Sequence, residues 1–337
     1  MVILNFNGRE FLGECIESVL RSDYKCSEVI VVDNASSDDS LVRARQRFGD
    51  KIRFIPLSRN VGFSRGNNIG LHAANTDLVL FLNNDAFLQR DTLDLLIGAM
   101  RERPGAILQP RILLRNRPGR INSDGLALHP TGYGVLIHGG EAADSDTTTE
   151  EVFAASGACL MAQRDLLLRL GGFNEVLFAF LEDLDLGWRA RLLGGKSFCV
   201  SSAAVDHQWG GAWGKLSSKF QFYNIERGRL VIILTNFSAR SLVLLSPLLV
   251  VLEAMVVAHS FSNGWFRLKI RSYSDVIKLR TEIERRRETI QETRLVSDRQ
   301  ILMMATLRLD HPQLRNQFKL ANVVLTPLTK IVLRSWS

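Results

Sequence analysis

Strand and helix patterns alternate along residues 1–100, and this alternation constrains the fold more than any other feature. Residues 29–32 form a continuous apolar run, which is typical of a strand buried on both faces of a parallel sheet. Further strands are predicted over residues 2–6, 52–57 and 78–82, and the helices between and after them cover residues 10–20, 40–48, 66–74 and 92–100. This order predicts an α/β fold with a doubly wound, mostly parallel sheet.

Polar residues stand at or just past the predicted strand ends. Such sheets bind ligands beyond the carboxyl ends of their strands. Asp33 opens the motif Asp-Asn-Ala-Ser-Ser-Asp, and its carboxylate is suited to a nucleobase or ribose, although an Asx turn that caps the next helix has the same pattern. Asn60 begins a glycine-punctuated loop whose backbone can approach a ligand, or which is a plain loop with a helix cap.

The sequence Asn83-Asn84-Asp85 follows the fourth strand. A hard divalent cation takes oxygen ligands and shares them with a diphosphate, so Asp85, amide oxygens such as that of Asn84 and a later histidine, His207, form a candidate metal site. The alternatives are a turn after a strand and a histidine satisfied in the core.

Glu182 and Asp183 open a predicted helix over residues 182–193, after an approach rich in phenylalanine. A partly buried carboxylate at this position is a candidate general base for a hydroxyl, but carboxylates are also ordinary partners of a helix N-terminus. Trp209 and Trp213 alternate with glycines, which suits either a lid that stacks on a sugar or a packed turn.

Composition and missing motifs exclude several classes of protein. The four cysteines show no C-x-x-C spacing, so neither a disulfide framework nor a zinc site is expected, and a reducing cytoplasmic location is indicated. No signal peptide is expected from the first residues. The sequence lacks a P-loop and a dinucleotide-binding glycine motif, which argues against NTPases and dehydrogenases.

The C-terminal part of the sequence is basic and contains a long apolar segment. Residues 262–337 carry 15 Lys and Arg against 7 Asp and Glu, a balance of +8, whereas residues 1–261 carry 27 and 28, a balance of −1. Residues 241–261 are long enough to span a bilayer, but Pro247 and Glu253 favour an interfacial or core-packed helical hairpin. A long charged helix is predicted from Ser274-Asp275 to about Arg299. The partner of this helix is a membrane, another subunit or the protein's own domain. The basic residues of the C-terminal part either meet an anionic partner or form a solvated helical face.

Taken in order, these motifs resemble glycosyltransferase family 2, whose members are inverting enzymes of the GT-A fold, and in particular the rhamnosyltransferase-like branch that builds bacterial surface polysaccharides. The resemblance covers about residues 1–235. Its motifs are those at residues 2–8, 33–38, 60–70, 82–85, 171–175, 182–186 and 207.

The resemblance implies roles for the donor-binding residues. Asp33 would bind the nucleobase or ribose with help from Asn60 and Asn67, and Arg227 would lie near the phosphates. Asn84 belongs to the same predicted donor site.

The resemblance also implies the metal and catalytic residues. Asp85 and His207 would hold Mg²⁺ or Mn²⁺, Asp183 would be the catalytic base, and Glu182 would orient the base or the acceptor. Asn83 departs from the family pattern because it replaces the first carboxylate of D-x-D, which makes the predicted metal site less anionic.

We therefore expect a GT-A domain over residues 1–235 and a helical C-terminal region over 236–337. The expected function is transfer of a sugar, such as rhamnose, from a nucleotide-sugar donor to a glycan or polyprenyl-linked acceptor at the inner face of the cell membrane, with a membrane surface or a second copy of the chain as partner and no nucleic acid. The alternatives are a sugar-phosphate nucleotidyltransferase and a non-catalytic subunit of a polysaccharide assembly complex.

Overall fold

The computed structural model describes residues 1–144, 147–208, 218–310 and 315–334, which form two compact units. The described residues of the first, the sheet unit, fall within Met1–Leu126, Ile137–Gly187 and Gly195–Leu216. Those of the second, the helical unit, fall within Ala127–Leu136, Trp188–Gly194 and Ser217–Ser337. The predicted domain limit at residue 235 stays a prediction.

The strands of the described residues, in chain order, are β1 (Val2–Asn5), β2 (Ile30–Asp33), β3 (Arg53–Pro56), β4 (Leu78–Asn83), β5 (Ala86–Leu88), β6 (Ile107–Leu114), β7 (Ile121–Ser123), β8 (Leu126–Leu128), β9 (Gly134–Leu136), β10 (Thr149–Val152), β11 (Cys159–Gln163) and β12 (Ser197–His207). The α-helices are α1 (Leu12–Arg21), α2 (Ser40–Phe48), α3 (Gly62–Ala73), α4 (Thr92–Glu102), α5 (Arg164–Arg169), α6 (Glu182–Leu192), α7 (Ser218–Asn236), α8 (Ala239–Ser262), α9 (Phe266–Lys278), α10 (Arg280–Thr293), α11 (Asp298–Met303) and α12 (Arg315–Arg334).

The main sheet has the strand order β10-β12-β6-β11-β4-β1-β2-β3. Strands β4, β1, β2 and β3 are parallel, as predicted, and β12 runs parallel to β6. Strand β11 lies antiparallel between β4 and β6. The predicted α/β class is confirmed, and the sheet is mixed on the side of β4 that holds β11, β6, β12 and β10.

Close packing of α3 on β1 explains two glycines of the Asn60–Gly70 loop motif. A Cβ at Gly66 would lie 2.4 Å from a methyl carbon of Leu4, and one at Gly70 would lie 2.2 Å from a methyl carbon of Val2. The two glycines lie on one face of the helix, so the helix backbone approaches the buried strand directly. Helix α3 accordingly begins at Gly62, four residues before its predicted start.

Two other predicted elements are wrong. The single strand predicted over residues 152–162 is two strands, β10 and β11, because the amide of Ser156 donates to Gln109 Oε1 and the amide of Gly157 donates to Asp183 Oδ2 instead of to a neighbouring strand. The long helix predicted from Ser274 is three helices, α9 to α11. Its apolar residues do not share one face, since Ile283 is buried while Leu295 is exposed.

The apolar segment over residues 241–261 lies within one continuous helix, α8, rather than forming a hairpin by itself. Among the described residues, α8 is the helix whose length and composition would allow it to cross a membrane.

Candidate active site

The carboxyl ends of three parallel strands bring polar residues to one edge of the sheet. Asn5 at the end of β1 is in register with Asp33 at the end of β2, and Leu4 is in register with Asn83 at the end of β4. The loops that follow these strands carry Ser36 and Asp85. The strand-end clustering predicted from the sequence is therefore present.

Asp33 is a buried carboxylate that organises the loop after β2. It is 3% exposed. Its Oδ1 accepts hydrogen bonds from Asn5 Nδ2 at 2.7 Å and from the Ser36 hydroxyl at 2.7 Å, and its Oδ2 accepts from the Ser36 amide at 3.1 Å. Asp33 thus binds Ser36, three residues further along the same loop, and Asn5 ties it to β1, but it does not cap helix α2, which begins at Ser40.

Asn5 also links Asp33 to Asn84. The Asn84 side chain is 5% exposed, and its Nδ2 donates to Asn5 Oδ1 at 2.9 Å. A Cβ at Gly8 would lie 2.3 Å from Asn5 Oδ1 and 2.4 Å from Asn84 Nδ2, so glycine is required beside this pair. The chain of contacts from Asp33 through Asn5 to Asn84 connects the loops after β2 and β4.

Asn60 holds the start of α3 against the loop after β2. Its Oδ1 accepts from Asn34 Nδ2 and from the Gly62 amide, both at 2.9 Å, while Asn34 Oδ1 accepts from the Val61 amide at 2.8 Å. Asn67 is 2% exposed and donates to the Phe63 carbonyl at 3.2 Å. Asn60 and Asn67, two of the three predicted donor-binding asparagines, therefore have structural partners.

A cavity of about 430 Å³ opens beside Asn60. Cavities of this size accommodate small ligands. Arg65 projects from the first turn of α3, and its Nε lies 3.8 Å from Glu175 Oε2. The lining residues are Arg59, Asn60, Val61, Arg65, Glu175 and Val176. The cavity thus combines two guanidinium groups, an amide and a carboxylate.

The structure brings the two predicted metal ligands together. Asp85 immediately precedes β5, which pairs with β12 so that Ala86 is in register with His207. His207 Nε2 lies 3.2 Å from Asp85 Oδ1, and the two side chains are 9% and 4% exposed. His207 Nδ1 lies 2.8 Å from Asn122 Oδ1 on β7.

This arrangement fits a divalent cation. Because Asn122 Oδ1 is an acceptor, His207 Nδ1 donates to it, which leaves Nε2 as the ring nitrogen that faces the Asp85 carboxylate and could ligate a metal ion. Adjacent ligands of an octahedral cation at about 2.1 Å lie about 3 Å apart, close to the observed separation. Among the described residues, no group of three His, Cys, Asp or Glu side chains is placed to hold a metal ion.

The chain approaches Glu182 and Asp183 through a constrained segment. Phe178, Phe180 and Leu181 all have positive φ angles, of 60°, 68° and 65°. Such angles are unfavourable for bulky side chains and persist where the surroundings enforce them. The Phe178 carbonyl accepts from the Phe63 amide at 2.6 Å, and it would lie 2.6 Å from a Cβ at Gly62. The start of α3 therefore holds the approach to α6.

The two adjacent carboxyl groups at the start of α6 have unequal environments. Asp183 is half-buried, and its Oδ2 and Oδ1 accept from the amides of Gly157 at 2.9 Å and Leu184 at 2.8 Å. Glu182 is 6% exposed, and no described group donates a hydrogen bond to its Oε2. Burial, followed by the charge of Asp183, raises the pKa of Glu182 well above its usual value, and burial also raises the pKa of Asp183.

Two of the remaining predicted residues, Trp209 and Trp213, lie outside the described residues. Arg227 lies on α7 in the helical unit, where its guanidinium stacks over the Tyr223 ring at 5.5 Å.

Sequence reasoning missed Asn5 and Asn122. Asn5 ends an apolar strand in the same way as Asp33, so its position at a strand end was an available signal. Asn122 lies on a three-residue strand inside a segment with no clear periodicity, so no local pattern marks it.

Comparisons with known proteins identify the family and the fold of this chain. The family model of glycosyl transferase family 2 matches residues 1–171. A low-salt glycan biosynthesis hexosyltransferase of Haloferax volcanii is 27% identical over 201 residues, which are 57% of this chain and 61% of that protein. An N-acetylglucosaminyl-diphospho-decaprenol L-rhamnosyltransferase of Mycobacterium tuberculosis is 28% identical over 239 residues, which are 61% of this chain and 75% of that protein.

Solved structures share the fold. Residues 1–349 of Staphylococcus aureus TarS match 99% of this chain and 90% of that structure, with a TM-score of 0.54 and 18% identity. GalNAc-T7, crystallised with UDP, GalNAc and Mn²⁺, matches 71% of this chain and 48% of that structure, with a TM-score of 0.56 and 14% identity. The predicted GT-A fold is thereby confirmed. Since the family model covers half of the sequence and includes the strand ends described above, the chain belongs to glycosyl transferase family 2, the family of glycosyltransferases that its motifs predict.

Proposed function

We propose that this chain is an inverting glycosyltransferase that moves a sugar from a nucleoside diphosphate donor to a hydroxyl group of a glycan or lipid-linked glycan in cell-surface polysaccharide synthesis. The observation that carries the proposal is the unequal environment of Glu182 and Asp183. Transfer to a hydroxyl group requires a base, and this pair supplies one.

Asp183 is the better base of the two. Its oxygens each accept a backbone N–H, which favours the ionised form, whereas Glu182 Oε2 lacks such a donor among the described residues. When the pair shares one proton, Glu182 therefore holds it and Asp183 keeps the charge. A raised pKa also makes Asp183 a stronger base than an ordinary aspartate. Neutral Glu182 orients the base or the acceptor hydroxyl.

Asp85 and His207 would hold Mg²⁺ or Mn²⁺, with Asn122 fixing the histidine tautomer. When bound, the ion would neutralise charge on the departing nucleoside diphosphate. The loop of Asp33 and Asn60, with the adjacent cavity, is the proposed nucleoside site, and Asn67, Asn84 and Arg227 remain proposed donor residues.

The proposed reaction is a single displacement. Asp183 removes the proton of the acceptor hydroxyl while the hydroxyl oxygen attacks the anomeric carbon of the donor sugar. The nucleoside diphosphate leaves from the opposite face. The configuration inverts because only one displacement occurs, so no enzyme carboxylate has to act as a nucleophile.

The names of two relatives support the finer assignments. The mycobacterial relative is named for transfer of rhamnose to a decaprenyl-linked sugar. A relative from Campylobacter jejuni, 33% identical over 106 residues, is named for a glucosyl transfer to an undecaprenyl-linked glycan. We accordingly propose a polyprenyl-linked acceptor, with rhamnose as the first donor sugar to test, and a location at the cytoplasmic face of the membrane.

Release of nucleoside diphosphate from dTDP-, UDP- and GDP-sugars, with Mn²⁺ or with EDTA, tests the proposal. Wild type should turn over one donor, and Asp183→Asn should lower turnover by about 10²–10⁴-fold because the base is lost, while donor affinity measured by calorimetry stays unchanged.

The matched control is Asp165→Asn, which removes an exposed carboxylate from the first turn of α5. Near wild-type turnover in Asp183→Asn would contradict the base assignment. Pyrophosphate as the product would indicate a nucleotidyltransferase instead, and neither product together with no donor binding would indicate a non-catalytic subunit.

A further inference from the structure

One face of α8 is apolar and exposed along its whole length. Its residues are spaced three and four apart, as on one side of a helix, and they are Val243, Pro247, Val250, Ala254, Ala258 and Phe261. Val243, Val250 and Phe261 are 71%, 65% and 73% exposed. An apolar strip of this length in contact with water is unfavourable, so it marks an interaction surface.

The other side of α8 is committed to the protein. Leu245, Leu248 and Leu252 are at most 3% exposed. Glu253 accepts from Lys269 Nζ at 2.8 Å and is ion-paired with Arg229, and both cations are fully buried. Lipid cannot replace these partners, because an isolated charge in hydrocarbon is costly. Helix α8 therefore presents one face to its surroundings and is not suited to cross a bilayer.

Helix α9 places cations beside a second apolar row. Phe266, Ile270 and Ile277 are 38%, 47% and 67% exposed, and each is followed directly by a cation. The cations are Arg267, Arg271 and Lys278, all exposed. The rings of Phe261 and Phe266 contact each other with centroids 5.9 Å apart, so the apolar faces of α8 and α9 meet at the turn between the helices.

The charge on this α9 face is positive. Asp275 pairs with Lys278 at 2.9 Å and with Arg271 at 3.5 Å. Together with Arg267, these residues are three cations and one carboxylate, a net charge of +2. An apolar face bordered by arginine and lysine matches a lipid surface with anionic headgroups. A second copy of the chain packed symmetrically on this face would bring its cations together, which is unfavourable.

We propose that the exposed faces of α8 and α9, the docking face, bind the surface of a bilayer that contains anionic lipid, with α8 lying in the plane of the membrane. The apolar residues enter the headgroup boundary, and Arg267, Arg271 and Lys278 contact lipid phosphates. This surface belongs to the helical unit, and the proposal does not depend on the sugar transferred.

Flotation of the full chain with vesicles tests the proposal. Wild type should float with phosphatidylcholine vesicles containing phosphatidylglycerol, and less with pure phosphatidylcholine or at high salt. The triple variant Val243→Gln, Val250→Gln, Phe261→Ser should bind at least about ten-fold more weakly, because apolar burial is lost. The double variant Arg267→Gln, Lys278→Gln should bind roughly thirty-fold more weakly to the anionic vesicles at low salt.

Matched controls are Val42→Gln and Arg101→Gln, which change exposed residues of the sheet unit and should bind as wild type. Circular dichroism checks that each variant is folded. The proposal would be overturned if wild type did not float, or if it floated equally with anionic and neutral vesicles and at low and high salt concentration. It would also be overturned by resistance to carbonate extraction, which indicates a span, or by a dimer that the triple variant converts to monomer. Asp183→Asn should float like wild type, so the catalytic and membrane proposals fail independently.

Discussion

Replacing Glu253 by glutamine tests what holds α8 in the helical unit. Glu253 is ion-paired with Arg229 and Lys269 and accepts from the Tyr273 hydroxyl. Glu226 pairs with the same two cations, so two carboxylates neutralise two fully buried positive charges. The Glu253→Gln substitution keeps the shape of the side chain and leaves one positive charge without compensation.

The expected loss follows from the pKa of Glu253. Burial disfavours its charged form, but Arg229 and Lys269 outweigh burial and lower the pKa from 4.5 to about 2. A fall of this size corresponds to about 3 kcal/mol of unfolding free energy, in the range found when one member of a buried ion pair is removed. Because the folded-state pKa is depressed, this stabilisation is complete above the unfolded-state value near 4.5 and is lost as the pH falls towards 2.

Urea unfolding followed by circular dichroism at pH 7, 5, 4 and 3 measures the effect. Glu253→Gln should be less stable than wild type by about 3 kcal/mol at pH 7, with a difference that narrows below pH 5. The control is Glu282→Gln, which removes a partly exposed carboxylate paired with Arg285 at 2.7 Å and should cost less than about 1 kcal/mol. A Glu253→Gln effect as small as the control's, or equal at pH 7 and pH 3, would refute the reasoning.

Two further predictions concern the sheet unit. Asn122→Leu removes the acceptor of His207 Nδ1 and should weaken Mn²⁺ binding about 10–100-fold, as measured by calorimetry with donor present. The control Asn116→Leu, at an exposed turn, should bind Mn²⁺ as wild type does. Equal Mn²⁺ affinities of Asn122→Leu and wild type would show that Asn122 does not position the histidine. Glu182→Gln should keep turnover within about tenfold at neutral pH, because burial and the charge of Asp183 raise the pKa of Glu182 and so favour its neutral form, which glutamine resembles. A loss of turnover as large as that of Asp183→Asn would instead make Glu182 the base.

Much of the sheet unit was predictable because its signals are local. Apolar runs predicted strands β1 to β4, and the polar residues that follow them marked the edge of the sheet where the candidate site lies. Asp85 and His207, separated by more than a hundred residues, were predicted as metal ligands and lie 3.2 Å apart. The interruption between β10 and β11 was not predictable from periodicity, because it depends on the Gly157 amide bonding to Asp183 from another part of the chain.

Less of the helical unit could be predicted from the sequence. Composition identified an apolar segment and a basic tail, but the charged stretch after Ser274 has no continuous apolar face from which helix ends can be predicted. Glu253 appeared as an obstacle to a membrane helix, and its role became clear only with Arg229 and Lys269 beside it. The side of α8 that is exposed follows from these buried partners.

The sequence by itself determined the family, the alternation of strands and helices, and the residue types that meet at the strand ends, because these depend on neighbours along the chain. Only the tertiary structure decided how the environments of two adjacent carboxyl groups differ, which asparagine contacts His207, and which face of α8 is exposed. The reason is physical: solvation, hydrogen-bond partners and nearby charges are set by contacts between distant residues, and these contacts exist only in the folded chain.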